Sequence, residues 1–206
     1  MRVLPSGSTA LLVELDDLDE VLALYATLAD DVPKGVVDIV PAARTLLLIT
    51  DPAVVALSSV EEAVRSAKPR PDLRDRAEHV DIPVTYDGED LEEAAQLLDC
   101  DAVDLVRRHT STEWTVAFCG FIPGFGYLTS PEWQVEVPRR SSPRTKVPPG
   151  AVGLAGEFSG VYPRQSPGGW QLIGRTGLTM FDPARNPAAI LRPGVRVRFV
   201  DEGARP

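Results

Sequence analysis

Four basic side chains lie close together in the segment PRRSSPRTKVPPG, residues 138–150, of a chain whose net charge is −9. They are Arg139, Arg140, Arg144 and Lys146, and the prolines interspersed among them would stiffen the segment. Arginine binds carboxylate and phosphate groups through parallel N–H···O bonds. The segment therefore predicts a binding site for a small anion. The alternative is an exposed loop that keeps the chain soluble.

A second segment, FCGFIPGFGYLTSPEW at residues 118–133, mixes glycines with aromatic residues. Glycine permits close backbone approach, and the pair Pro123-Gly124 favours a tight turn. Aromatic side chains beside a few polar groups are typical of ligand pockets. We therefore predict a pocket wall here, and the alternative is a packed corner of a barrel. The predicted contact residues are Phe121, Pro123, Phe125 and Tyr127.

A third segment, VYPRQSPGGWQLIGRT at residues 161–176, contains a Gly-Gly turn that would bring backbone N–H groups near Trp170. It is not a phosphate-binding P-loop, because no Lys-Ser or Lys-Thr follows at the required spacing. A Gly-Gly turn is by itself a weak signal, so these residues are candidates for binding only. They are Tyr162, Ser166, Gly168, Gly169, Trp170, Arg175 and Thr176.

Few residues suit nucleophilic or acid–base catalysis. There is no Gly-x-Ser-x-Gly elbow, and Cys119 lies in an apolar run, where a buried thiol is usually inert. His79 opens a predicted strand and has no evident partner. His109 ends a predicted helix, where the dipole favours a cation. The alternative role for His109 is a general acid or base, or a ligand-binding donor at the mouth of a barrel.

The charge and composition of the chain argue against several classes of protein. A net charge of −9 argues against general nucleic-acid binding, which depends on clustered Lys and Arg. The two cysteines, Cys100 and Cys119, are not spaced like a zinc-ligand cluster, so no metal is predicted; a disulfide stays open, although such usage suits a reducing cytosol. We find no secretion signal and no apolar run of roughly 20 residues, so we predict a cytoplasmic protein without a membrane span.

Hydrophobic periodicity predicts an α+β fold in two domains. Residues 1–84 are expected to form a small α/β domain with the order strand, helix, strand, strand, helix, strand, a split βαβ arrangement. These elements are predicted at 10–15, 18–30, 36–40, 45–50, 51–67 and 79–86. Residues 85–206 are expected to begin with helices at 88–99 and 101–110 and continue as a β-barrel or sandwich of short strands.

Three motifs, GFIPGFGYL, PRRSSPRTKVPPGAVGLAG and GVYPRQSPGGWQLIGRT, together resemble the B subunit of the prokaryotic 5-oxoprolinases. That family is also known by its kinase-inhibitor member KipI, and an older name for it is allophanate hydrolase subunit 1. Similar stretches extend over most of the chain: GSTALLVEL, GVVDIVPAARTLLLITDP, YDGEDLEEAA and RRHTSTEWTVAFCGFIPGF.

The resemblance implies a cyclophilin-like β-barrel in the C-terminal half, preceded by a small α/β domain. It implies two partners, the C and A subunits of 5-oxoprolinase, which together with this chain open 5-oxoproline to glutamate at the expense of ATP. The complex would bind ATP, and the chain alone would be inactive. On the matched motif positions lie His109, Arg144, Tyr162 and Arg175, of which His109, Arg144 and Arg175 are the candidates for catalysis.

The sequence departs from the family pattern at two places. Phe158-Ser159-Gly160 stands where members often have Gln-Thr-Gly, and Gly126 stands where they often have proline. The lost amide removes one possible hydrogen bond to a ligand.

Three alternative functions remain open: a KipI-type inhibitor of a sensor histidine kinase, an accessory protein of an allophanate hydrolase or urea amidolyase, and, from the barrel alone, a prolyl isomerase. The second lacks support from any Ser-Ser-Lys amidase pattern.

Overall fold

The computed structural model describes residues 1–69 and 78–203 of the chain, which divides into two units, Met1–Ala77 and Glu78–Pro206. The first unit is a four-stranded antiparallel sheet, in the order β1-β2-β4-β3, that carries two helices. Its elements are β1 (Arg2–Ser6), β2 (Ala10–Glu14), α1 (Leu18–Asp30), β3 (Val36–Pro41), β4 (Thr45–Thr50) and α2 (Leu57–Ser66).

The helices of this unit show where local sequence signals suffice and where they do not. Helix α1 begins as predicted, because the Asp17 carboxylate accepts a hydrogen bond from the backbone N–H of Glu20. The prediction that α2 starts at Asp51 is wrong, since the helix begins at Leu57. Residues 51–55 form a separate turn, held by backbone hydrogen bonds to the Asp51 carbonyl and by packing of Val55 against Gly35.

The second unit is built on a seven-stranded sheet in the order β12-β9-β10-β7-β6-β13-β5, with β8 and β11 paired separately. Its strands are β5 (His79–Val84), β6 (Trp114–Cys119), β7 (Gly126–Thr129), β8 (Arg144–Val147), β9 (Ala151–Ala155), β10 (Phe158–Val161), β11 (Ser166–Gly168), β12 (Gln171–Arg175) and β13 (Arg196–Asp201). Thr85 and Arg175 exchange two backbone hydrogen bonds of 2.9 Å, which join the two ends of the sheet. The sheet is therefore a nearly closed barrel, and the predicted α+β fold with a barrel is confirmed.

Strand β5 belongs to the barrel, whereas the sequence pattern places residues 79–86 in the first unit. It pairs in parallel with β13 along its whole length, and Ile82 and Val84 lie fully buried in the barrel core. Pro83 is tolerated because β5 is the last strand in the sheet order. Along the chain, the second unit therefore begins at Glu78 and not after residue 84. In the first sheet the additional strand is β1, which the sequence pattern did not predict.

Two short helices, α3 (Leu91–Leu97) and α4 (Ala102–Ser111), pack against β12 and β13 respectively. Asp101, at the start of the predicted helix 101–110, caps α4 by accepting a hydrogen bond from the backbone N–H of Asp104 at 2.7 Å. None of the described helices is long and apolar enough to cross a membrane.

Both cysteines are free thiols, and burial raises the pKa of Cys119 to about 11.

Candidate functional site

Five rings of the barrel unit form what we call the aromatic cluster, which lies around Phe125. The centroid of Phe125 is 5.1–5.7 Å from each of the other four rings, in edge-on arrangements. These rings belong to Phe121, Tyr127, Tyr162 and Trp170. Most of the cluster is packed inside the unit, as a barrel corner would be. Phe121 differs, because it is 55% exposed.

The backbone holds Phe121 in an unusual conformation. Its φ is +67°, in the left-handed region that bulky side chains avoid, and the N–H of Ile122 donates to the carbonyl of Gly120 at 2.8 Å across it. Such a residue costs on the order of 1–3 kcal/mol and is found mostly at functional sites. The turn thus places one exposed ring over Tyr162, with centroids 6.5 Å apart.

The carboxylate of Asp90 lies between two of the predicted anion-binding arginines. Its Oδ1 accepts from Arg140 Nη1 at 2.5 Å and from Arg144 Nη2 at 2.7 Å, and its Oδ2 accepts from the Leu172 N–H at 2.7 Å. Burial alone would raise the pKa of Asp90. The hydrogen bonds from Arg144 and Leu172 and the charges of both arginines outweigh this effect and lower the pKa.

Asp90 is part of a short acidic turn, residues 87–90, that lies along β12. Gly88 makes this approach possible, because a Cβ atom there would stand 2.2 Å from the Leu172 carbonyl oxygen. Asp87 pairs with Arg175 at 2.8 Å on the surface, and Glu89 pairs with Arg144 at 3.1 Å. The carboxylates of this turn therefore pair with three of the arginines that the sequence suggested would bind a ligand anion, Arg140, Arg144 and Arg175.

Tyr162 connects the aromatic cluster to the arginines. Its hydroxyl lies against Gly168, where a Cβ atom would come within 2.4 Å of the oxygen, and Gly168 is the strand partner of Arg144. Burial raises the pKa of Tyr162 to about 12, while the positive charge of Arg139 and Arg144 acts in the opposite direction. Arg139 itself is exposed and forms no ion pair with any residue that the structure describes.

Several polar atoms around β8, β11 and β12 are buried and have no hydrogen-bond partner among the described residues. They are Arg140 Nε, Arg144 Nη1, Ser166 Oγ and Gln171 Oε1. Buried polar groups are normally paired with protein atoms or with bound water. The arginine side of the barrel therefore has hydrogen-bonding capacity that the protein does not itself use.

His109 does not lie at the mouth of the barrel. It is fully buried, stacked on Phe199 at 4.3 Å, with its Nδ1 2.7 Å from the Tyr86 hydroxyl and its Nε2 2.8 Å from the Ser159 hydroxyl. Burial lowers the pKa of His109 to about 3, so the ring is neutral near pH 7. A catalytic role for His109 stays a prediction, and its closed surroundings favour a packing role instead.

The remaining candidates are dispersed. Thr176 is buried in a turn, where its N–H donates to Gly150 and its hydroxyl accepts from Leu178. Gly169 accepts from the backbone N–H of Arg140, and Pro123 is exposed in the turn beside Phe121. The structure thus brings the aromatic cluster together with Gly168 and Ser166 of β11 and with Arg144 of β8. Arg139 is exposed and acts on Tyr162 through its charge, and His109, Arg175 and Thr176 lie outside this group.

Sequence reasoning missed the carboxylates of the site. Glu89 and Asp90 occur in an acidic, amphipathic stretch for which the sequence predicted a helix and no site residue. Residues 138–150 contain arginines but no acidic residue. This imbalance was a signal that the carboxylates that pair with buried arginines come from another part of the chain.

A surface cleft near the end of α4, lined by His79, Asp81, Glu113 and Arg198, contains none of the predicted site residues.

The sequence of the chain matches a known protein family and proteins of known name. The family described as "Carboxyltransferase domain, subdomain C and D" matches residues 1–191. The 5-oxoprolinase B subunit of Escherichia coli O157:H7 is 38% identical over 206 residues, covering 95% of this chain and 94% of that protein. The 5-oxoprolinase B subunit of Bacillus subtilis strain 168 is 47% identical over 124 residues, covering 59% of this chain and 52% of that protein.

Solved structures share this fold. The crystal structure of TTHA0988 superposes with a TM-score of 0.78 at 34% identity, covering 93% of this chain and 39% of that longer chain. PH0987 from Pyrococcus horikoshii gives a TM-score of 0.58 at 34% identity, covering 98% of this chain and 99% of that one. The urea amidolyase of K. lactis gives a TM-score of 0.69 at 17% identity over 97% of this chain and 14% of that one, which shows a shared fold alone. With its sequence relatives, its fold and its motifs in agreement, the chain belongs to the family of 5-oxoprolinase B subunits.

Proposed function

We propose that this chain is the B subunit of an ATP-dependent 5-oxoprolinase, which opens 5-oxoproline to L-glutamate and is active only when the A and C subunits are present. The observation that carries the proposal is the position of Tyr162, which lies beside the exposed ring of Phe121 and whose hydroxyl lies against Gly168, the strand partner of Arg144. A small lactam that carries a carboxylate has the matching chemistry. The relative that covers nearly the whole chain bears the same name.

In this proposal each group of the site has a separate task. Phe121 and the rings beneath it cover the apolar edge of the lactam and keep water away from it. Arg139, which is exposed, is the first charge that an approaching carboxylate meets, and Arg144 then binds it. Arg144 is suited to this because Asp90 fixes one side of its guanidinium. The oriented substrate is thereby presented to the rest of the assembly.

ATP, bound by the assembly, would supply the free energy for opening a resonance-stabilised amide. The residues of this chain do not fit an ATP site by themselves. The sequence has no phosphate-binding P-loop. We therefore place ATP in a partner protein and assign to this chain the binding and orientation of the organic anion.

The test is glutamate release from 5-oxoproline with ATP, measured for the chain alone, with the A and C subunits, and with Arg144→Ala in the full mixture. We expect turnover only in the full mixture and a loss of at least about tenfold with Arg144→Ala, since a charge-assisted contact contributes about 1.5–3 kcal/mol. The matched control is Arg198→Ala. This change removes an arginine of β13 that pairs with Asp81, and it should leave turnover intact. A correctly assembled complex that releases no glutamate would refute the proposed substrate.

Inhibition of a histidine kinase is the second candidate, and the exposed ring of Phe121 is the observation that favours it. An exposed aromatic residue in a strained turn would also suit a protein contact. Binding of the chain to a purified sensor kinase, abolished by Phe121→Ala and not by Arg144→Ala, would support it. Binding that survives both changes, or no binding, would count against it.

A further inference from the structure

Arg144 contacts two carboxylates whose surroundings are very different. Its Nη2 atom lies 2.7 Å from Asp90 Oδ1 and 3.1 Å from Glu89 Oε2. The side chain of Asp90 is 2% exposed, whereas that of Glu89 is 78% exposed. One guanidinium therefore has a buried partner and a solvent-exposed partner, and these two pairs are not equivalent.

Asp90 is a permanent partner. Besides Arg144, its carboxylate accepts from Arg140 Nη1 and from the Leu172 N–H. Removing it would leave two partly buried guanidinium groups without their shared counter-charge, which is strongly unfavourable. Asp90 therefore keeps Arg144 in place whatever else binds to the guanidinium.

Glu89 is an exchangeable partner. A single oxygen, Oε2, accepts from Arg144 Nε at 3.3 Å and from Nη2 at 3.1 Å, both longer than a strong charge-assisted hydrogen bond. Exposed ion pairs of this kind contribute little to stability, because water competes for both charges. The Nε and Nη2 atoms also form the edge of a guanidinium that a carboxylate binds with two parallel hydrogen bonds.

The guanidinium is also not saturated. Arg144 Nη1 is buried and has no hydrogen-bond partner among residues 1–69 and 78–203. The guanidinium thus keeps one donor that neither Asp90 nor Glu89 uses.

We propose that Glu89 is a built-in counter-ion, which the carboxylate of the ligand displaces from the Nε/Nη2 edge of Arg144. The inference rests on the proposed function, because it takes the ligand to be a small carboxylate. In the free protein Glu89 neutralises the guanidinium. In the complex the ligand takes its place while Asp90 keeps the arginine oriented. Glu89 is then a specificity-determining residue, because every anion must compete with it and weak anions are excluded.

The direct test uses acetate as the simplest carboxylate. The signal of the Arg144 Nε–H group, identified by NMR through its loss in Arg144→Lys, is followed during acetate titrations of the full chain at constant ionic strength. Glu89→Gln retains the size of the side chain and removes its charge. We expect half-saturation at about two- to fivefold less acetate, which corresponds to an exposed ion pair. The difference should shrink as ionic strength rises.

Glu92→Gln is the matched control, because it removes the same charge from the first turn of α3, and Glu92 forms no ion pair with Arg144 among the described residues. It should leave the acetate titration unchanged. Equal acetate midpoints in the unmodified protein and in Glu89→Gln would overturn the inference, as would an equal gain from Glu92→Gln.

A second measurement separates this inference from the proposed function. In the assembled enzyme Glu89→Gln should lower KM for 5-oxoproline by a similar factor. Inhibition by 2-pyrrolidinone, which has the ring but no carboxylate, should not change. A raised or equal KM would overturn the inference. An assembly without turnover would refute the oxoprolinase assignment alone, because the acetate titration would still show whether Glu89 is displaced.

Discussion

The barrel unit contains two buried polar networks that differ in charge and in completeness. In the first, neutral His109 lies between the hydroxyls of Tyr86 and Ser159, and both ring nitrogens are paired. In the second, Asp90 lies between Arg140 and Arg144, and both arginines keep buried nitrogens without a described partner. The first network is closed and uncharged, whereas the second is charged and open on one side.

This difference indicates where a ligand can bind. A polar group that is fully paired inside the protein gains nothing from a ligand, whereas an unsatisfied one does. The histidine, which is the residue that acid–base chemistry would suggest first, lies in the closed network. Arg140 and Arg144, which the sequence also suggested, lie in the open one. The comparison predicts that changes in the first network affect stability, and that changes in the second affect binding as well.

Asp90→Asn should have the largest effect, because it removes the charge that two guanidinium groups share. We expect a loss of about 3–5 kcal/mol in the free energy of unfolding, the cost typical of breaking a buried ion pair. The measurement is urea denaturation at pH 7. Asp81→Asn is the control, since its pair with Arg198 is exposed and should contribute less than about 1 kcal/mol. Similar losses in the two variants would remove the distinction between a buried and an exposed pair.

The pH dependence of stability should reveal the closed network. The pKa of His109 is lowered to about 3 in the folded state, whereas a histidine in an unfolded chain titrates near 6.5. Its stabilising contribution is therefore complete above about pH 6.5 and declines as the pH falls towards 3, by up to about 1.4 kcal/mol per pH unit.

The measurement is unfolding in urea between pH 7 and pH 4.5, where this contribution should fall by about 2–3 kcal/mol. His109→Gln should abolish that part of the slope. His79→Gln, which replaces the other, exposed histidine, should retain it. A slope that persists in His109→Gln would show that other groups cause the acid sensitivity.

Two buried serines provide a direct comparison between the networks. Ser159→Ala leaves Nε2 of His109 without its partner and should cost about 1–3 kcal/mol of stability. Ser166→Ala removes a hydroxyl that has no described partner and should leave stability nearly unchanged. If Ser166 binds the ligand, its replacement should instead raise KM for 5-oxoproline several-fold. A Ser166→Ala variant that loses as much stability as Ser159→Ala would contradict the description of the second network as open.

Two substitutions of Phe121 separate the effect of backbone strain from the effect of losing the ring. The expected difference in stability between them is the smallest of these predictions. Phe121→Gly and Phe121→Ala both remove the ring, but only glycine adopts the left-handed conformation without strain. The glycine variant should therefore be more stable than the alanine variant by about 1 kcal/mol. Both should weaken 5-oxoproline turnover equally, because both lack the ring. Equal stability of the two variants would show that the turn relaxes when the ring is removed.

Much of the fold follows from local patterns in the chain. Asp17 and Asp101 each cap a helix at the start of a segment that hydrophobic periodicity predicted to be helical. The short strands separated by Pro and Gly form the barrel. Strand β5 was assigned to the wrong unit, because an apolar run indicates that a strand is buried but not which partner strand it pairs with. Here the partner, β13, lies more than a hundred residues further along the chain.

The sequence by itself determined the family, the α+β class, and the types of side chain available: arginines, aromatic rings and a single helical histidine. Only the tertiary structure decided which of them remain available to a ligand. Whether His109 is an acid, a base or a packed ring depends on the residues that surround it, and these come from β10, β13 and the loop after β5. Whether Arg144 is free depends on Glu89 and Asp90, which lie more than fifty residues earlier. The availability of a charge is a property of its solvent and its neighbours, and contacts made by folding supply both.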